Sequence, residues 1–145
     1  MKVSTRSRYG VNAMFELALG YGKGALALKD IAERQQLSEA YLEQLFIRLK
    51  KAGLVEGVRG ASGGYVLSKP PENISMGDII RALEGGIAPV DCLEGSACSR
   101  GLTESCPGRF IWEKVYAGIN SVIDSITLKD MQDEFTAKGT VYTDG

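Results

Sequence analysis

Residues 28–68 read LKDIAERQQLSEAYLEQLFIRLKKAGLVEGVRGASGGYVLS, and changes of pattern inside this stretch decide the fold. The first piece, 28–36, is a short helix with Ile31 and Ala32 turned inward. Gln36 and Leu37 form a tight turn. Ser38 is a good N-cap for a second helix, with Tyr41 rather than Glu at the capping-box position. Leu42, Leu45, Phe46 and Leu49 then recur at helical spacing as a buried stripe. Lys50 and Lys51 fall in the last turn, where the helix dipole favours cations, and Gly53 supplies the stop. Beyond it the period changes. Residues 55–59 and 65–68 are β-prone and flank GASGG, the pattern of a hairpin, which Pro70 and Pro71 end.

Working outward, residues 4–20 carry apolar side chains at 11, 14, 15, 18 and 19, again a helical period. Ser4 or Thr5 can cap this helix, and the glycines within 20–24 end it. Downstream, SMGDIIRALE (75–84) is a short helix whose Ser75 and Asp78 resemble a capping box. A long helix fits about 109–125, with apolar residues at 111, 112, 115, 116, 119, 122, 123 and 126. Its apolar face covers about half the circumference and must pack on something. Thr127 can cap one more helix, LKDMQDEF, and the tail from 136 has little to anchor it and is expected to be disordered. The expected fold is therefore mainly α with a small β-wing: a winged helix-turn-helix plus a long C-terminal helix. The chain divides into a winged-helix domain (1–85), a cysteine-rich loop (86–108), the long helix with the short terminal helix (109–135) and the tail (136–145).

Composition narrows the class. The chain has 145 residues, one domain's worth, with 44% hydrophobic and 24% charged. No apolar run approaches the ~20 residues that span a bilayer. The basic start, MKVSTRSRYG, is not followed by an apolar block. A cytoplasmic location is expected, where thiols stay reduced and a disulfide framework is unfavoured. The net charge of −1 conceals an asymmetry: residues 1–70 hold 11 Lys or Arg against 6 Asp or Glu, and 71–145 hold 6 against 12. A basic half carrying a helix-turn-helix suits a polyanion, although helix-turn-helix shapes also occur in proteins that bind no DNA.

A major groove admits one helix, whose N-terminal residues reach base edges. Here those residues are Ser38, Glu39, Ala40, Tyr41, Glu43 and Gln44. Gln44 can pair bidentately with adenine, and Glu43 can accept from a cytosine amine. Arg59, flanked by Gly60, Gly63 and Gly64 at the hairpin tip, suits a narrow minor groove.

All the cysteines, Cys92, Cys98 and Cys106, lie within DCLEGSACSRGLTESC (91–106), and the chain has no histidine. Their neighbours are Gly, Ser, Glu and Pro, which disfavours a buried structural role. A disulfide with one thiol left over needs an oxidising compartment. Zinc on thiolates plus a carboxylate or water, and an iron–sulfur cluster, both fit. The spacing of five and then seven intervening residues does not separate them. Enzyme chemistry finds no support: there is no phosphate-binding glycine loop, and without histidine no Ser-His or Cys-His pair. The alternatives from another class are a zinc-stabilised DNA-binding protein with no sensing role and an iron–sulfur electron carrier.

SRYGVNAM (7–14), DIAERQQLSEAYLEQLFIRLKKAGLV (30–55) and VRGASGGYVLSKP (58–70), with the cysteine loop, the tryptophan-containing helix and ITLKDM (126–131), carry a resemblance. The chain resembles the IscR-type family of bacterial winged-helix regulators, which also includes nitric-oxide-sensing and cysteine-metabolism repressors. The resemblance covers about residues 1–135. It implies a homodimer, formed by the long helix crossing its twin, on a pseudo-palindromic double-stranded DNA operator. It implies DNA contacts at Ser38, Tyr41, Gln44 and Arg59. A glutamate at the position of Glu43 helps near relatives discriminate between two classes of site, and Ala40 replaces a serine that some relatives use. It further implies an iron–sulfur cluster on Cys92, Cys98 and Cys106, 2Fe–2S rather than 4Fe–4S, and a role in regulating iron–sulfur biogenesis genes. Nitric-oxide or redox sensing is the alternative within the family. The chain departs from its best-known relatives in having two more residues between the second and third cysteines, and Arg109 in place of a histidine. The fourth ligand is then open among Asp91, Glu94, Glu104, Ser99, Ser105, water or a small thiol; Glu104, two residues before Cys106, is the candidate.

Overall fold

The computed structural model of the chain describes residues 3–94 and 106–139. Its order is α1 (Thr5–Leu19), α2 (Leu28–Gln35), α3 (Glu39–Lys51), β1 (Val55–Val58), β2 (Gly64–Leu67), α4 (Met76–Glu84), α5 (Pro107–Ser125) and α6 (Leu128–Ala137). Short 3-10 turns occupy Pro71–Asn73 and Asp91–Glu94. This is the mainly helical winged helix-turn-helix expected from the periodicity. No described helix is long and apolar enough to cross a membrane.

The helix-turn-helix forms as its local chemistry dictates. Leu42, Leu45, Phe46 and Leu49 of α3 are all buried, alongside Ile31 and Ala32 of α2. Gln36 takes a left-handed conformation, φ 55°, and ends α2; Leu37 N donates to Ala32 O at 2.9 Å. That conformation is uncommon for a residue with a Cβ. It lets Ser38 begin α3 after only two intervening residues. Gln35 and Arg34 donate from the end of α2 to the Glu16 carboxylate, which is buried on α1. A carboxylate in a core is tolerated only with such partners.

The hairpin is antiparallel, in register from Val55 opposite Leu67 to Val58 opposite Gly64. A third segment joins it: Leu26 and Tyr65 exchange backbone hydrogen bonds at 3.0 and 2.9 Å. A Cβ on Gly64 would lie 2.2 Å from Leu26 O, so only glycine permits this approach. The Tyr65 ring packs on Phe46, centroids 4.8 Å apart, which fixes the hairpin to α3.

α4 ties the remaining elements together. Its Ser75–Asp78 capping box is complete, as is Thr127–Asp130 at α6. Met76 N donates to Ile126 O and Leu128 N to Ile74 O, which pins the α5–α6 junction beside the start of α4. Arg81 grips Asp124 of α5 with two bonds, 2.8 and 2.9 Å, and Asn120 at 2.8 Å. The Asp124 hydrogen bond raises the Arg81 pKa, and the same contact lowers that of Asp124. α6 then returns to α1, with Phe135 edge-on to Phe15 at 5.1 Å. α5 begins at Pro107, two residues before the expected start, because proline at the first helical position loses no hydrogen bond. None of its residues is buried, and Phe110, Ile111, Trp112, Val115 and Val122 stand exposed.

Gly10 of α1 lies against α4 so closely that a Cβ there would sit 2.1 Å from Leu83 Cδ1. Leu83 is itself fully buried, so a shift of its side chain disturbs the core around it. Gly10→Ala is therefore expected to destabilise the fold by about 1–3 kcal/mol, read as a lower urea midpoint with unchanged slope.

Candidate nucleic-acid interface and cysteine site

The predicted recognition residues lie on the N-terminal half of α3. Ser38 is the N-cap, and its Oγ accepts from Tyr41 N at 3.1 Å. The half-buried Tyr41 ring meets Tyr9 of α1 edge-on, centroids 6.3 Å apart and planes at 88°. α1 thus fixes the direction of this side chain. Glu43 and Gln44 are exposed on the helix face opposite the buried stripe. Ile47 shares that face and is 58% exposed. It was not among the residues expected from sequence, though it falls out of phase with Leu42, Leu45, Phe46 and Leu49. An exposed isoleucine there can meet a thymine methyl.

Arg59 is exposed and directly follows β1, at the tip of the hairpin. The tip is tight: Gly60 has φ 111°, and a Cβ on Gly63 would lie 2.3 Å from Val58 O. With the hairpin anchored through Tyr65 and Phe46, Arg59 and the α3 surface keep a fixed relation. Lys50 and Lys51 at the end of α3 are exposed too.

Cys92 lies in the 3-10 turn Asp91–Glu94, and Cys106 is the N-cap of α5. Both are half-buried free thiols. Arg109 links the Cys92 turn to the first turn of α5. Its backbone N–H donates to Cys106 O at 3.1 Å, and its Nη1 donates to Cys92 O at 3.3 Å. Its Nε donates to Glu113 at 2.8 Å, which holds the guanidinium in place. Arginine carries no lone pair for a metal, and here it acts as the clasp of the loop. Cys98 and Glu104, with Ser99 and Ser105, lie outside the described residues. Among the described residues no group of three or more potential metal ligands is assembled. The two described cysteines nonetheless fit a thiolate-bound group: both are free and half-buried, and Cys106 caps the positive end of a 19-residue helix.

Residues 3–134 match the model of the Rrf2 family, described as iron-dependent transcriptional regulators. The chain belongs to the Rrf2 family. The regulator CymR of Bacillus subtilis strain 168 is 45% identical over 145 residues, spanning all of this chain and 94% of that one. The solved structure of CymR, the global cysteine regulator of B. subtilis, superposes with a TM-score of 0.78 at 44% identity, covering 92% of this chain and 98% of CymR. The T. potens IscR structure gives 0.74 at 49% identity, covering 92% and 88%. The Rrf2 chain is thus a transcriptional regulator of a DNA-binding family and not an enzyme.

In this Rrf2 chain the cysteine loop leaves the reading head at Glu84, the last residue of α4. The Glu84 carboxylate accepts from Ser4 N at 3.0 Å, from Ser7 Oγ at 2.6 Å and from Ser4 Oγ. Ser4 occupies the N-cap position of α1, yet its side chain caps nothing in α1, because it turns to Glu84 instead. Burial alone would raise the Glu84 pKa, but the hydrogen bonds from Ser4 and Ser7, with the charge of Arg6, outweigh it and the net shift is downward. A carboxyl held below its unfolded value of about 4.3 stabilises the fold fully above that pH. The contribution is lost as pH falls through the lower, folded pKa. Glu84→Gln is expected to lose about 1 kcal/mol at neutral pH. Its stability should also decline less steeply than wild type below pH ~4.3, as read from urea melts between neutral and acid pH.

Proposed function

We propose that the chain is a homodimeric regulator whose affinity for a double-stranded operator is set by an iron–sulfur cluster on Cys92, Cys98 and Cys106. The observation that carries this reading is Arg109 clasping Cys92 to Cys106 between α4 of the reading head and α5. The exposed apolar face of α5 supports a second copy as its cover, since an uncovered face of this kind is costly in water. A dimer presents two α3 helices to successive turns of the major groove. Ser38, Tyr41, Glu43 and Gln44 then face base edges or phosphates, and Arg59 reaches the minor groove.

A bound cluster, 2Fe–2S rather than 4Fe–4S, supplies an iron centre whose loss or modification can report a chemical signal. The chain's residues do the rest. Three thiolates anchor the group, and a carboxylate, with Glu104 the candidate, or a small molecule completes the set. Arg109 ties the Cys92 carbonyl to the first turn of α5. Occupancy sets the loop's conformation, and iron–sulfur biogenesis genes are the targets this reading favours. A second reading, control of cysteine metabolism, is favoured by the full-length similarity to a cysteine regulator.

Anaerobic purification followed by operator binding tests the proposal. Visible charge-transfer bands are expected, together with an operator affinity that differs between cluster-loaded and metal-free protein by about 5- to 150-fold. A triple Cys→Ala variant should bind as the metal-free form does. A colourless protein holding zinc, with equal binding by all three forms, would sink it. Gln44→Ala is expected to cost about 1–3 kcal/mol and relax preference at one base pair. Arg59→Ala should weaken all sequences with a narrow minor groove, measurable by competition between duplexes.

A further inference from the structure

We infer that Arg48 is the positioning residue through which the cysteine loop and the recognition helix sense each other. This rests on the proposed regulator function and names the part of the molecule that would carry its signal. Arg48 lies on α3, one residue after Ile47, and its Nη1 donates to Leu83 O at 3.0 Å. That carbonyl belongs to the last turn of α4, where helical partners run out. The next residue, Glu84, is held by Ser4 and Ser7 of α1. Then comes Gly85 with φ 82°, a conformation that suits glycine and fixes the direction in which the loop departs toward Cys92.

The point of departure is therefore gripped by both helices that present Tyr9 and Tyr41. Its other end is referred to the same element: Cys106 starts α5, and α5 is bonded back to α4 through Arg81, Asp124 and Asn120. A change in the span of the loop must shift α5 against α4 or strain the last turn of α4. The only side-chain bond among those described that passes from this turn to α3 is Arg48 to Leu83 O. Arg48 is otherwise exposed, while Leu42, Leu45, Phe46 and Leu49 hold α3 in the core. Removing its donors thus leaves the fold standing and takes away the link.

The chain provides its own reporter. Trp112 is the single tryptophan. A Cβ on Gly108 would lie 3.7 Å from Cys106 Sγ and 3.9 Å from Trp112 Nε1, so indole and thiol flank one residue. Coupling is reciprocal: if the loop biases α3, DNA on α3 biases the loop in turn, and Trp112 near Cys106 is placed to report it.

The test uses full-length, reduced, metal-free protein and a duplex recovered by the wild type from a random pool. Trp112 emission and duplex anisotropy are followed together for wild type, Arg48→Met and Arg48→Lys. The wild-type emission is expected to change as duplex binds. Arg48→Met should melt like wild type and bind the duplex, yet show no emission change, and Arg48→Lys should restore part of it. Three outcomes overturn the proposal: no emission change in wild type, a full change in Arg48→Met, or loss of duplex binding by Arg48→Met with unaltered melting, which would make Arg48 a DNA contact. The cluster reading is judged separately, by the visible bands of anaerobic wild type. Its failure leaves the metal-free emission result to decide the role of Arg48.

Discussion

Gly10 of α1 and Leu83 of α4 meet at a distance that a single added Cβ would abolish, 2.1 Å from Leu83 Cδ1. The rest of the structure depends on this approach. It sets α1 flat against α4, brings Ser4 and Ser7 over the Glu84 carboxylate, and leaves the Leu83 carbonyl within reach of Arg48. α1 in turn directs Tyr41 through Tyr9 and holds the end of α2 through the buried Glu16. Interiors are close-packed, so small displacements at such a contact are passed on rather than absorbed.

The two halves of the molecule differ in charge and in what they expose. The N-terminal half carries the surplus of cations, and its exposed groups stand on α3 and at the tip of a hairpin stiffened by Leu26 and Tyr65. The C-terminal half is acidic and offers a helix on which Phe110, Ile111, Trp112, Val115 and Val122 stand exposed among the described residues. Between them, Arg109 bonds the Cys92 carbonyl to the start of α5, and Arg81 bonds α5 back to α4. The small residue Gly77 makes room for that last contact: a Cβ there would lie 2.0 Å from Asp124 Oδ1.

Much of the fold was legible because its signals are local. The stripe of Leu42, Leu45, Phe46 and Leu49, the Ser38 and Thr127 caps and the Ser75–Asp78 box each act within one or two helical turns. The features that were not legible join residues far apart in sequence. Ser4 reads as a cap, but a carboxylate 80 residues away competes for its hydroxyl. Glu16 is buried on α1, where Arg34 and Gln35, 18 and 19 residues away, close over it. Arg109 reads as a missing ligand, and only the approach of Cys92, 17 residues upstream, shows it as a clasp. Ile47 was within reach of the sequence, since its phase already placed it outside the core.

The chain alone determined its element types, the winged helix-turn-helix, the residues α3 presents to solvent and the gathering of soft thiols into one loop. Periodicity, capping and residue chemistry are properties of neighbours along the backbone. Tertiary structure decided how α4 joins the other helices, where Glu84, Arg48 and Arg109 direct their charged groups, and that α6 returns to α1. Those choices depend on which distant groups come within hydrogen-bonding range once the core has closed, and no local pattern encodes that distance.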